Sequence, residues 1–261
     1  MQPAIGRLPG RLWRWPSGPG LRAISLVLFV ALWAAIAALI DSRVLPGPYA
    51  VGRSLVGHVA DGSLPFHISV TLARVAASFF LAMVIGSAIG IAMGRSRRVD
   101  AFFDGWLVIG LNIPALVTII LCYVWFGLGE VAAIVAVALN KIPTVVVTIR
   151  EGARAVDRDL LQVAQAFRVP RRRRFRQVYL PQLYPYLMAS ARSGLALIWK
   201  IVLVVELLGR SNGVGFQLHV FFQFFDITSI LAYTLAFVAV ILLIEVFILR
   251  PLERRLSGWR S

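Results

Sequence analysis

One cysteine and three histidines are the whole complement of thiol and imidazole ligands in this chain of 261 residues. Cys122 has no second thiol to pair with, so no intramolecular disulfide forms, and its place inside an apolar run reads as a small core residue. The histidines at 58, 67 and 219 are scattered and build no metal or catalytic constellation. A nucleophile motif and a phosphate-cradling glycine loop are also missing, so the chain is no enzyme, binds no cofactor and has no means of hydrolysing ATP. Acidic residues are scarce too, 12 against 27 Lys and Arg. In a soluble protein the resulting formal charge of +15 would point to nucleic acid.

What is abundant settles the class. Hydrophobic residues make up 59% of the chain, only 15% are charged, and the mean hydropathy is +0.81, a membrane composition. Six runs are long enough to cross a bilayer: Ile24 to Ile40, Leu72 to Gly94, Phe103 to Gly127, Val131 to Ile149, Leu183 to Leu208 and Ile227 to Leu249. The expectation is an all-α polytopic protein, with a tail over 1–23, a membrane domain over 24–249 and a second tail over 250–261. Positive charge followed by an apolar stretch also describes a signal peptide, with Ala35-Ile36-Ala37 as a passable cleavage site, but the run is long enough to span and more spans follow.

The distribution of charge converts the excess into topology. Four basic residues lie in the tail to Arg22, three in GRSRRVD, nine from Arg150 to Arg176 and four from Arg250 onward, whereas the opposite side holds Arg43, Arg53 and Arg210. By the positive-inside rule the loop over 150–181 and both termini are cytoplasmic.

Within that loop, DRDLLQVAQAFRVPRRRRFRQVYLP (157–181) is a polar segment stranded between apolar runs. Asp157 is placed to cap a helix with Leu160, Ala164 and Phe167 on one face, and Pro170 stops it. A second helical pattern follows, from Arg171 to Arg174 through Phe175, Val178 and Tyr179 to Pro181. Too polar for lipid and too apolar on one face for water, the first helix calls for a protein partner's groove. A helix-turn-helix with an arginine run also describes a DNA-binding module, but flanking spans would pin it against a bilayer, and nucleic acid is excluded. Lipid headgroup contact suits some arginines without requiring the apolar face.

The segment resembles the coupling loop of importer-type ABC transporter permeases, whose pattern is Glu-Ala-Ala, three residues, Gly, nine residues, Ile-x-Leu-Pro. Gln162, Val163 and Ala164 fall on Glu-Ala-Ala, Arg168 on the Gly, and Val178, Leu180 and Pro181 on Ile, Leu and Pro. Gln162, Val163 and Arg168 depart from it, and with the Gly gone Pro170 is expected to supply the turn. LPGPYAVGRSLV, GRSRRVD, WFGLGE and GRSNGVG, in order around the loop, are similar to the nitrate, sulfonate and taurine group. The resemblance implies a type I importer permease fold in the bacterial inner membrane. Its implied partners are an ABC ATPase dimer that hydrolyses the ATP, a second permease copy, a solute-binding protein on the outer face, and lipid. Leu160, Gln162, Val163, Ala164, Phe167, Arg168, Val178, Leu180 and Pro181 become the candidate ATPase-coupling residues. The implied substrate is a small oxyanion or sulfonate, with an aromatic acid or a vitamin precursor as the alternative.

Polar residues at membrane depth are costly and mark candidate pathway positions. Arg74 and Lys141 read as lying near span ends, where their heads reach the interface, and Arg192 as interfacial. Lys200 and Glu206 lie deeper in the fifth run, too far round the helix from each other to pair, and Asn112 with Pro114 interrupts the third. These four are the pathway candidates. GRSNGVG and FQLHVFFQFF read as an outer loop and a re-entrant or interfacial helix, with His219 at the boundary. A self-sufficient channel or secondary transporter is the competing class, but it predicts internal repeats that the chain lacks and leaves the amphipathic loop unexplained.

Overall fold

The computed structural model describes residues 19–40, 42 and 44–251, and all regular structure among them is helical. Arg7, Arg11, Arg14 and Arg43, and the tail beyond 251, lie outside the described residues. In chain order the helices are α1 (Pro19–Ile40), α2 (Pro48–Ala60), α3 (Ser63–Arg95), α4 (Arg97–Asn112), α5 (Ala115–Phe126) and α6 (Glu130–Arg154). Then come α7 (Arg158–Ala166), α8 (Arg171–Arg174), α9 (Leu180–Gly209), α10 (Val214–Gln223) and α11 (Ile227–Ile244), with π-helical turns at Phe175–Tyr179 and Glu245–Leu249.

Local chemistry sets several of these boundaries. Pro48 occupies the first turn of α2, where a missing N–H costs nothing. Gly62, at φ +78°, reverses the chain into α3. The Ser96 hydroxyl accepts from the Val99 amide at the start of α4, and the Asp226 carboxylate from the Ser229 amide at the start of α11. α10, ten residues long, is too short to span and packs on α9, α11 and α3, in keeping with an outer-loop helix.

Four helices are long and apolar enough to cross a membrane, within Ala23–Ile40, Ser63–Arg95, Glu130–Arg154 and Ile227–Ile248. The third predicted span is no straight helix. α4 and α5 meet at 100° across the Asn112 to Pro114 break, because proline both lacks a donor and disfavours helix in the residue before it. Counted as one span, that pair makes five. The fifth predicted run lies in α9, which has 30 residues and the length to cross but carries Arg192, Lys200 and Glu206, so length and apolarity alone do not reproduce the expected six.

The closest helix contact in the core is between α3 and α6, and glycine makes it possible. Gly86, Gly90 and Gly94 recur every four residues on one face of α3 and meet Val145, Ile149 and Ala153, which recur at the same interval on α6. A Cβ on Gly86 would stand 2.7 Å from the Val145 Cβ, one on Gly90 2.9 Å from the Ile149 Cβ, and one on Gly94 2.4 Å from the Ala153 Cβ. α9 then approaches an adjacent face of α6, its Tyr186 ring lying where a Cβ on Gly152 would be. Hydrocarbon gives no hydrophobic drive between helices, so the association rests on dispersion between closely approached backbones. Gly90→Leu is expected to overpack this seam by several kcal/mol, on the order of two or three methylene insertions. Thermal unfolding of the purified protein checks this: a melting temperature within a degree or two of wild type would contradict the packing account.

Candidate functional site

At the basic end of the bundle, residues 157–181 fold as a helical hairpin. The Asp157 carboxylate accepts from the amides of Asp159 (2.8 Å) and Leu160 (3.3 Å), and the Asp157 amide donates to Gln182 Oε1 at 2.8 Å, tying the start of α7 to the start of α9. α7 ends in a Schellman turn: the Arg168 amide donates to the Gln165 carbonyl (2.9 Å) and the Val169 amide to the Ala164 carbonyl (3.0 Å). Arg168 itself takes the left-handed conformation, φ +53°. Pro170 therefore does not replace the missing glycine as expected. Arg168 adopts the glycine's geometry despite its side chain, at a cost of order 1 kcal/mol that the two turn hydrogen bonds offset. Pro170 instead opens α8, and a π-helical turn carries the chain through Val178 and Tyr179 into Leu180 and Pro181 at the head of α9.

The hairpin divides α7 into distinct faces. Leu160, Val163 and Phe167 are 50%, 52% and 80% exposed, and their i, i+3, i+7 spacing makes them one apolar stripe. Ala164, expected to share that stripe, is 8% exposed and turned into the chain's own fold. The reason is register: Ala164 lies toward Leu161, which packs on Ala153, Val156, Tyr179 and Leu183. Gln162 is exposed on another face. Beside the hairpin, Arg150 reaches Asp104 (2.8 Å) and Asp100 (3.4 Å), and Arg154 reaches Asp100 at 2.5 Å, joining the C-terminus of α6 to the N-terminus of α4.

Toward the opposite end lies a polar centre that the sequence reading missed. The Arg74 guanidinium is 3% exposed and donates from Nε and Nη2 to Glu130 (2.8 and 2.6 Å) and from Nη1 to Glu206 (2.7 Å). It also donates to the backbone carbonyl (2.8 Å) and side-chain oxygen of Asn212. Glu206, wholly buried, additionally accepts from the Thr71 hydroxyl and the Gly215 amide, both at 2.9 Å. Arg210 reaches Glu130 at 2.5 Å. α3, α6, α9 and the loop into α10 thus share one ion-pair network. Gly213, at φ +106°, passes so close that a Cβ there would sit 2.3 Å from the Glu206 carboxyl carbon. Two expectations are corrected here. Arg74 is not near a span end, because α3 begins at Ser63 rather than Leu72, and Glu206 faces no pathway, being enclosed within the subunit. The available signal was that unpaired charges in apolar runs need a partner, and one Arg and two Glu answer each other.

The two lysines behave differently. Lys141, also expected near a span end, is mid-way along α6 and 3% exposed, its Cε 2.7 Å from where a Cβ on Gly194 of α9 would be. Lys200 is exposed on α9, in a stripe with Ser193, Ala196, Leu197, Val204 and Leu207. Neither lysine makes a hydrogen bond or ion pair among the described residues. Asn112 is exposed at the α4–α5 bend, its amide donating to its own helix at Val108 (2.8 Å), and Pro114 caps α5.

A helical bundle with a capped amphipathic hairpin at its basic end, an apolar stripe exposed on that hairpin, fits the resemblance to importer permeases. The chain belongs to the family of binding-protein-dependent transport system inner membrane components, whose model matches residues 62–257. It is 31% identical to the putative aliphatic sulfonates transport permease protein SsuC of Bacillus subtilis (strain 168), over 99% of this chain and 93% of that protein. It is 28% identical to the taurine transport system permease protein TauC of Escherichia coli (strain K12), over 95% and 94%. The nitrate import permease protein NrtB of Synechococcus elongatus is 22% identical over 77% and 78%. The fold matches a chain of the inward-facing MetNI methionine ABC transporter with a TM-score of 0.61 at 20% identity, covering 71% of this chain and 92% of that one. The chain is thus a multi-pass inner-membrane permease subunit of a binding-protein-dependent ABC importer.

The network around Arg74 yields a stability forecast. Arg74→Met alone leaves Glu206 buried without its cation and is expected to cost about 3–5 kcal/mol, whereas Arg74→Met with Glu206→Leu recovers most of that loss. Melting temperatures of the single and double variants check it: equal destabilisation in both would deny the pair its structural role.

Proposed function

We propose that this permease moves a small anion, an oxyanion or a sulfonate, and that α7 is the element through which a separate ATPase drives it. The observation that carries the coupling role is the stripe of Leu160, Val163 and Phe167, exposed at the end of the molecule richest in arginine while the neighbouring Ala164 is buried and Leu161 half-buried. Docking this stripe into a cleft of the ATPase is worth roughly 3–5 kcal/mol before association costs. Movement of the docked hairpin passes through the π-helical turn and Pro181 into α9. The ATP is bound and hydrolysed by that partner, and this chain carries out no chemistry of its own. The loop and both termini face the cytoplasm, in line with the charge distribution.

Anion selectivity is supported by Lys200, a cation exposed on α9 without an ion pair or hydrogen bond among the described residues, and by relatives named for sulfonates, taurine and nitrate. One permease lines half of a two-fold pathway, so two copies pair, with the exposed stripe of α9 that carries Lys200 facing the axis. A solute-binding protein delivers the anion at the outer face, near α10.

Phe167→Asp is expected to abolish ATPase co-purification and substrate-stimulated hydrolysis while the permease keeps its melting temperature. Ala164→Asp, in contrast, buries a charge in the hairpin and lowers that temperature first. A Phe167→Asp complex that assembles and responds to substrate like wild type refutes the coupling role.

Lys200→Met and Lys141→Met separate pathway from scaffold. Lys200→Met is expected to lower anion uptake into proteoliposomes by about tenfold or more, since a charged contact contributes about 1.5–3 kcal/mol. Lys141→Met, at a site enclosed between α6 and α9, is expected to leave stability unchanged or raised, because it removes a buried charge. Full uptake by the assembled Lys200→Met variant excludes Lys200 from the pathway.

A further inference from the structure

Between α7, α8 and the ends of α3 and α6 lies a cavity of about 870 Å³. Its lining includes Arg95, Arg154, Arg158, Arg171, Arg172 and Arg174, and among the described residues no carboxylate joins them. Arg154 is neutralised by Asp100 and Glu151, and Arg174 donates to Gln165 Oε1 at 3.3 Å. Arg95, Arg158, Arg171 and Arg172 make no ion pair among the described residues, although the Arg95 guanidinium lies 5.2 Å over the Tyr179 ring. Tyr179 itself is 5% exposed, lines the cavity, and has a hydroxyl with no hydrogen-bond partner among the described residues. Burial pushes its phenol above the ordinary range, so it stays protonated and remains a donor.

We propose that this cavity is a binding site for a phosphate-bearing anion, held by arginine forks and by the Tyr179 hydroxyl. Guanidinium groups match phosphate oxygens in pairs, and several lining one open cavity without counter-charge among the described residues leave a repulsion that a dianion relieves. The cavity also lies away from the docking stripe. Arg158, Leu161, Gln162 and Gln165 face it with i, i+3, i+4, i+7 spacing, and at about 100° per residue that face is turned about 180° from Leu160, Val163 and Phe167. An ATPase seated on the stripe therefore leaves the cavity open. Its floor is formed by Gly94 and Ala153, at the ends of the two closest-packed helices, a depth that a phospholipid headgroup reaches from the bilayer and free phosphate reaches from solution. Bound there, the anion ties α8 and α7 to α3 and α6.

The permease–ATPase complex in nanodiscs tests this, as wild type, as Tyr179→Phe and as Arg171→Gln with Arg172→Gln. Three conditions are compared: phosphatidylcholine alone, phosphatidylcholine with cardiolipin, and phosphatidylcholine with inorganic phosphate or pyrophosphate titrated in. The readouts are phospholipid retained by native mass spectrometry and the shift in melting temperature. Wild type is expected to be stabilised in one of the last two conditions. Cardiolipin-only stabilisation with retained lipid identifies a headgroup as the occupant, and a saturable response to free phosphate identifies a soluble anion. Tyr179→Phe, which keeps the ring stacked on Phe175, should weaken binding by about fivefold, and the double arginine variant by about a hundredfold. No stabilisation and no retained lipid in wild type overturns the proposal. So does equal binding by wild type and variants, or loss of the ATPase from the arginine variant without any anion effect, which would assign the arginines to an acidic surface of the partner.

Discussion

The constraint on which the rest of the bundle depends is the need to neutralise Arg74 inside the membrane domain. A guanidinium at 3% exposure is stable only if its donors are met, and Glu130, Glu206 and Asn212 meet them from α6, α9 and the loop that follows α9. One side chain therefore positions three separate stretches of chain, and it does so by direction as well as charge, because the guanidinium fork has fixed geometry. Nearer the basic end of the same two helices the glycine ladder brings α3 against α6 with no polar contact needed. The two devices complement each other: close packing sets how near the helices stand, while the ion-pair network sets how α9 and the loop into α10 sit against them.

That division explains which parts of the molecule were readable from the chain. The hairpin over 157–181 is locally encoded, since Asp157, the apolar periodicity and Pro170 act within a few residues of themselves, and the helix forms where they place it. Ala164 was misassigned because a stripe read from spacing alone does not say which edge of it another part of the chain covers; Leu161 and its contacts with Tyr179 and Leu183 decide that. Arg168 shows the reverse case, where a residue-level rule was outweighed by two backbone hydrogen bonds. Phe225, at φ +53° after α10, repeats the same compromise. Depth was the weakest inference. Arg74 reads as near a span end because the apolar run from Leu72 is shorter than the helix that contains it, and its partners 56 and 132 residues away leave no local trace.

The three cationic features have different characters. Arg74 is internally satisfied and structural. Lys141 and Lys200 have no ion pair or hydrogen bond among the described residues, one tucked over a glycine within the subunit and the other exposed in a stripe. The arginines around the hairpin are converged on a cavity rather than spread over a surface. Net charge alone merged all three, and only their surroundings separate them.

The separation of Arg74 from its partners also bears on how the protein is made. α3 enters the bilayer before either glutamate has been synthesised, with Glu130 following after 56 residues and Glu206 after 132. During that interval the apolar remainder of α3 has to hold an uncompensated guanidinium in or near the hydrocarbon, at a penalty of about 2.5–3.5 kcal/mol on the insertion scale. Partial relief comes with the first turn of α6 and full relief only when α9 arrives. An N-terminal half made on its own is thus left with an open charge until the later helices close around it.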